Sequence, residues 1–166
     1  MICFGIDPGV GLLGYGIVSQ SGDALRAIDY GALSTAPGRP LSVRLVEIYR
    51  SLNAKMDEHT PDVVAVEKLF FGRNTTTAEM VFHARGVVLL VAAERGFVPY
   101  EPKPSEVKMA VCGNGAAEKA QVQGMVKQLL NLEKTPKPDD AADALAIAIT
   151  GLSLAMYYDG SRGIVQ

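Results

Sequence analysis

Cysteine is scarce in this 166-residue chain: Cys3 and Cys112 are the only two, and they lie far apart. Their spacing matches no zinc ribbon, no redox pair and no disulfide scaffold, and Cys3 sits in an apolar run, where a thiol packs as a small hydrophobe. No apolar run approaches the roughly 20 residues that span a bilayer. The N-terminus carries neither a basic leader nor a cleavage signature, so the expectation is a reduced, cytoplasmic protein. Histidine is equally rare. His59, between Glu58 and Thr60, reads as a solvated residue at a helix end, and His83 as a core-edge residue within a helix. Neither has a nucleophilic Ser or Cys motif as a partner, which leaves triad chemistry without support. Repeats, low-complexity tracts and interdomain linkers are also missing. A strong charge of either sign is absent too: the net charge of −2 excludes a uniformly nucleic-acid-coating surface but leaves room for a local basic face.

What remains is a globular composition, 48% hydrophobic and 20% charged. The length suits one domain, expected over residues 1–156, with a flexible tail at 157–166. Alternating apolar residues predict strands at 2–8, 12–19 and 24–34. Leu41, Leu45, Ile48 and Leu52 follow a helical period, predicting a helix over 41–58. "DVVAVE" after Pro61 reads as a strand, 76–95 as a helix ending at Gly96, and "FVPYE" as a short edge strand, since Pro99 has no N–H for a ladder. Helices are expected at 104–111, 117–130 and 139–155. The order implies an α/β fold in which helices flank a mixed sheet.

Within "GIDPGVGLLGYGIV", Gly9, Gly11 and Gly14 spell G-x-G-x-x-G. A dinucleotide site requires a helix after these glycines, yet Leu12 to Ser19 has strand character. The glycines therefore read as a turn between antiparallel strands, with φ > 0 at Gly9 and Gly11, or more remotely as a phosphate contact. The turn leaves Asp7 unexplained, an acid closing an apolar strand. Glu67 ends "VVAVE" on the face of Val63 and Ala65. In "PDDAADALAIAIT", Asp140 and Asp143 share one helix face, and the surrounding alanines keep that helix slim enough to approach the sheet. Each acid has a plainer reading: Asp139 and Asp140 as helix caps, Glu67 as an ion-pair partner. Were all four to converge, they would repel by about 4 kcal/mol per pair at 4 Å. Cations would have to balance them. Hard oxygen donors suit Mg²⁺ or Mn²⁺, and two such ions would stabilise both the attacking and the leaving oxygen of an in-line displacement at phosphorus.

With "GIDPG…GYGIV", "AVEKLFFGRN", "ARGV", "GNGAAEKAQV" and "DDAADALAIAIT" in this order, the chain resembles the RuvC Holliday-junction resolvases, within the ribonuclease H-like nucleases. The resemblance implies a three-layer fold with a five-stranded mixed sheet. It also implies a metal-dependent endonuclease that resolves four-way junctions by paired symmetric nicks with 5′-phosphate ends. Its catalytic acids map to Asp7, Glu67, Asp140 and Asp143, with Mg²⁺ as cofactor, Mn²⁺ as substitute and two ions per site. A homodimer is implied, working with the branch-migration helicase complex of RuvA and RuvB. Residues 68–137 carry ten Lys and Arg against six acids, and Lys68, Arg73, Lys103, Lys108 and Lys119 fall where they can reach phosphates. Lys108 and Lys119 match family positions for DNA binding or transition-state charge. Phe70 matches one linked to junction contact, and Phe71 beside it could stack on an unpaired base, though one of the pair could equally anchor the loop. Two alternatives remain open: a ribonuclease H-like nuclease acting on RNA or DNA–RNA hybrids, and a non-catalytic junction-binding module. An actin-like ATPase, which also begins with an Asp and a glycine turn, needs two such domains and a longer chain.

Overall fold

The computed structural model describes residues 1–69 and 75–157, with side chains omitted for 75–78. Four strands form one mixed sheet in the order β3-β2-β1-β4: β1 (Ile2–Asp7), β2 (Leu12–Ser21), β3 (Ala24–Ser34) and β4 (Val63–Val66). β1 to β3 make an antiparallel meander, and β4 joins β1 in parallel. Five helices follow or intervene: α1 (Leu41–His59), α2 (Thr75–Glu94), α3 (Pro104–Cys112), α4 (Lys119–Leu129) and α5 (Asp139–Tyr157).

Among the described residues the expected fifth strand is absent. "FVPYE" contributes a single parallel bridge, Ala65 to Tyr100, in which Tyr100 N–H donates to Val64 O and its carbonyl accepts from Val66 N–H. Pro102, the next position facing β4, has no N–H with which to extend the ladder, although its carbonyl accepts from Lys68 N–H at 2.9 Å. α4 also starts two residues later than expected. Glu118 precedes it, with its N–H donated to the Gln121 side chain at 2.8 Å, so 117–118 form the approach to a capped helix.

The period-2 pattern distributes two cores across the sheet. Phe4, Ile6, Val64 and Val66 face α1 and α2, meeting Ile48, Leu52, Met56, Val88 and Val91. Cys3 and Ala65 face α3, α4 and α5, meeting Val107, Val111, Val126 and Leu145. The result is three layers, with Asp7 and Glu67 continuing the second, α5-facing set. By length and apolarity alone α5 could cross a bilayer, but 67% of its apolar window is buried inside the protein and its first turn is acidic. It is the central core helix.

Glycines let α5 come this close. A Cβ on Gly5 would stand 2.3 Å from Ala144 O, one on Gly16 2.7 Å from Leu145 N, and one on Gly14 2.1 Å from Asp140 O. Those overlaps are with helix backbone, which has no rotamer by which to yield.

Candidate active site

Three elements bring the four acids together. Asp7 is the last residue of β1, paired with Gly14 of β2. Glu67 follows β4, and its N–H donates to Ile6 O at 3.3 Å, which seats it beside Asp7. Over Gly14 lies the first turn of α5, where Asp140 and, less than one turn on, Asp143 project toward the strand ends.

Their electrostatics record the convergence. Burial pushes the Asp7 carboxyl up to about 7, and Glu67, Asp143 and Asp140 push in the same direction, partly offset by Lys119. Glu67 is also raised, by burial and then by Asp143, against the lowering effect of Lys108. Among the described residues, Lys119 and Lys108 temper the group. Lys119 Nζ lies 3.0 Å from Asp143 Oδ2, and this contact, first among its causes, raises the lysine's own pKa.

Asp139 shares Lys119 with Asp143 but is held chiefly by Lys137. Its carboxylate meets Lys137 Nζ at 2.6 Å and Lys119 at 3.7 Å, and the Lys137 hydrogen bond lowers its pKa. Of the two adjacent acids, Asp140 is the one whose charge reaches Asp7.

Gly9 and Gly11 are corrected in their role. Among the described residues, positive φ in glycine occurs at Gly22, Gly38, Gly96 and Gly113, so neither turn glycine is there for a left-handed backbone. Gly9 is required by space, since a Cβ would lie 2.1 Å from Leu12 O. His59 is not solvated either. Its side chain is 12% exposed and meets Asp29 at 3.2 Å, in a cluster where Lys55 Nζ also binds Asp29 at 2.6 Å. His83 is exposed, 3.8 Å from Glu79. Phe70, Phe71 and Arg73 lie outside the described residues.

Arg85 was overlooked as a site residue although it stands in the "ARGV" stretch. Half-buried on α2, it donates from Nε to Glu67 O at 3.4 Å and pairs with Glu101. It braces the backbone behind Glu67. An arginine opening the apolar run 85–93 of that helix is the signal in the sequence for it.

Residues 3–151 match the family described as crossover junction endodeoxyribonuclease RuvC. The chain belongs to the RuvC family. Among curated RuvC proteins, that of Alkaliphilus metalliredigens is 55% identical over 149 residues, covering 90% of this chain and 91% of its own. The structure of Thermus thermophilus RuvC superposes with a TM-score of 0.87 at 35% identity, covering 98% of this chain and 99% of that one. T. thermophilus RuvC in complex with its Holliday junction substrate gives 0.86 at 33% identity, with the same coverage. RuvC membership makes this chain an endonuclease and implies dependence on a divalent metal.

The acids fit such an ion by donor chemistry: four carboxylates face two nearby lysines, and the raised Asp7 and Glu67 record the repulsion that a cation would relieve. The trio whose ligand atoms all lie within 4.8 Å of one another among the described residues is elsewhere, at Asp29, Glu58 and His59. Lys55 already supplies the cation there, 2.6 Å from Asp29 and 3.1 Å from Glu58.

Proposed function

We propose that this crossover junction endodeoxyribonuclease resolves four-way DNA junctions by hydrolysing one phosphodiester in each of two symmetry-related strands, breaking the P–O3′ bond and leaving 5′-phosphates. The observation that carries the chemistry is the convergence of four carboxylates at the end of β1, where burial first and then Glu67, Asp143 and Asp140 raise the Asp7 carboxyl. Asp7, Glu67, Asp140 and Asp143 are the proposed catalytic residues and the donors for Mg²⁺, with Mn²⁺ able to replace it and two ions per site. Bound there, the ions would supply Lewis acidity and charge stabilisation for an in-line attack by water. Asp7 and Glu67 hold their carboxylates on rigid strand ends, and α5 carries the other two. Lys119, next to Asp143, supplies positive charge toward the pentacovalent phosphorus, and Lys108 contacts the DNA backbone together with Arg73. Phe70 and Phe71, following Glu67 in sequence, are assigned to the unstacked bases at the junction centre.

One domain, residues 1–156, carries the activity, in the cytoplasm, and two copies act together. Paired cuts need two sites related by a dyad. Met80 and Leu90 on α2, 45% and 52% exposed, support a second copy as neighbour. The helicase partners RuvA and RuvB are assigned on family grounds.

The test is cleavage of a labelled synthetic four-way junction beside a linear duplex and a DNA–RNA hybrid, each with Mg²⁺, with Mn²⁺ and with chelator. Metal-dependent paired nicks confined to the junction are expected. Cleavage of the hybrid would move the substrate to RNA, and tight junction binding without a cut under any metal would make the chain a binding module.

A further inference from the structure

The turn after Asp7 is tied down by a second set of residues that the four-acid pocket does not use. Thr35 is buried just beyond β3. Its hydroxyl donates to Val10 O at 2.6 Å, and its amide donates to Gly11 O at 3.2 Å. Arg44, in the first turns of α1, donates from Nε to the same Thr35 hydroxyl at 2.7 Å. The guanidinium is thereby held in one plane, with Nη2 3.7 Å from where a Cβ on Gly11 would stand.

Arg44 is half-buried, and among the described residues no carboxylate lies within ion-pair distance of it. The other half-buried arginines do have one: Arg85 meets Glu101, and Arg95 meets Asp57 at 2.7 Å. A guanidinium withdrawn from water without a counter-charge is costly. Its planar fork matches two oxygens of a phosphate. Gly11, exposed and without a side chain, leaves the approach open. The turn of the G-x-G-x-x-G stretch, unsuited to a dinucleotide, is suited to one phosphate of a strand running past Asp7.

We propose that Arg44 binds a DNA backbone phosphate beside the cleaved strand at the Gly9–Gly11 turn, with Thr35 as the residue that positions its guanidinium. This rests on the junction-cleaving reading above. Arg44 is a contact from the α1 side of the sheet, whereas Lys108 and Lys119 approach from the α3 and α4 side.

The experiment is junction affinity in chelator, so that nothing is cut, measured across a salt series for wild type, Arg44→Ala, Arg44→Gln and Arg44→Lys, with thermal melting of each. One phosphate contact contributes about 0.9 to the slope of log affinity against log salt. Arg44→Ala and Arg44→Gln are expected to flatten the slope by about that amount and weaken binding several-fold at low salt, while Arg44→Lys keeps the slope. An unchanged slope in the Ala and Gln variants overturns the proposal, whether or not melting falls, and makes Arg44 a structural strut. If Ala fails to fold, Gln alone decides. Absence of salt-dependent junction binding in the wild type would instead overturn the reading of the whole protein.

Discussion

Replacing Asp7 by Asn removes one charge from a group of four without changing its shape. Junction cleavage should fall below detection while affinity in chelator is retained, because the loss falls on charge development at phosphorus and not on backbone contacts. Wild-type cleavage by this variant would remove Asp7 from the site. The same substitution has a stability signature. A carboxyl raised from 3.8 to about 7 on folding holds its proton more tightly in the folded chain. Its contribution to stability is therefore complete below about pH 4 and is lost as pH rises toward 7. In chelator, Asp7→Asn should melt higher than wild type at pH 8, and the gap should close near pH 4. Each kcal/mol of relieved repulsion is worth about 2–4 °C. At the neighbouring pair, Asp140→Asn should abolish cleavage and Asp139→Asn should leave most of it, since Asp139 is held by Lys137 at 2.6 Å. Equal loss in both, measured as single-turnover rates, would add Asp139 to the metal set.

At the scale of elements, the glycines facing α5 decide whether those acids meet at all. Gly14→Ala would press a Cβ onto the Asp140 carbonyl, which has to move with its helix turn. A cost of about 1–3 kcal/mol and a loss of cleavage larger than the loss of junction affinity are expected. Gly124→Ala is the control. It lies within α4 with nothing within 4 Å of its Cβ, and should stabilise by about 0.5–1 kcal/mol in denaturant titrations. Legibility in the sequence followed the same physics. Strand alternation told correctly that Val63, Ala65 and Glu67 share a face, and the helical periods located α1 and α5 to within two residues. What periodicity cannot express is the distance between layers. The alanines of α5 announce a close approach to the sheet, but Gly14 reads in sequence as a turn glycine, and its use with Gly5 and Gly16 as clearance for the helix backbone is seen in three dimensions. The edge failed for a related reason: Pro99 marked it as short, but whether one bridge or a full strand forms depends on Pro102 as well.

For the whole molecule, the unequal treatment of the two α layers matters. α5 is covered by α3 and α4, while α2 leaves Met80 and Leu90 uncovered. Leu90→Glu should cost little folding stability, its side chain being half in water, yet shift the protein toward monomers in sedimentation. Junctions would then receive single rather than paired nicks. Unchanged sedimentation would place the dimer contact elsewhere. The β4 flank of the sheet has a further consequence. Tyr100 turns both its N–H and its C=O to Val64 and Val66, and Pro99, on the outward side of that bridge, has no donor for a stranger. That border is a poor template for an added strand from another molecule, so crowding many copies onto one stretch of DNA carries little hazard of aggregation from this side.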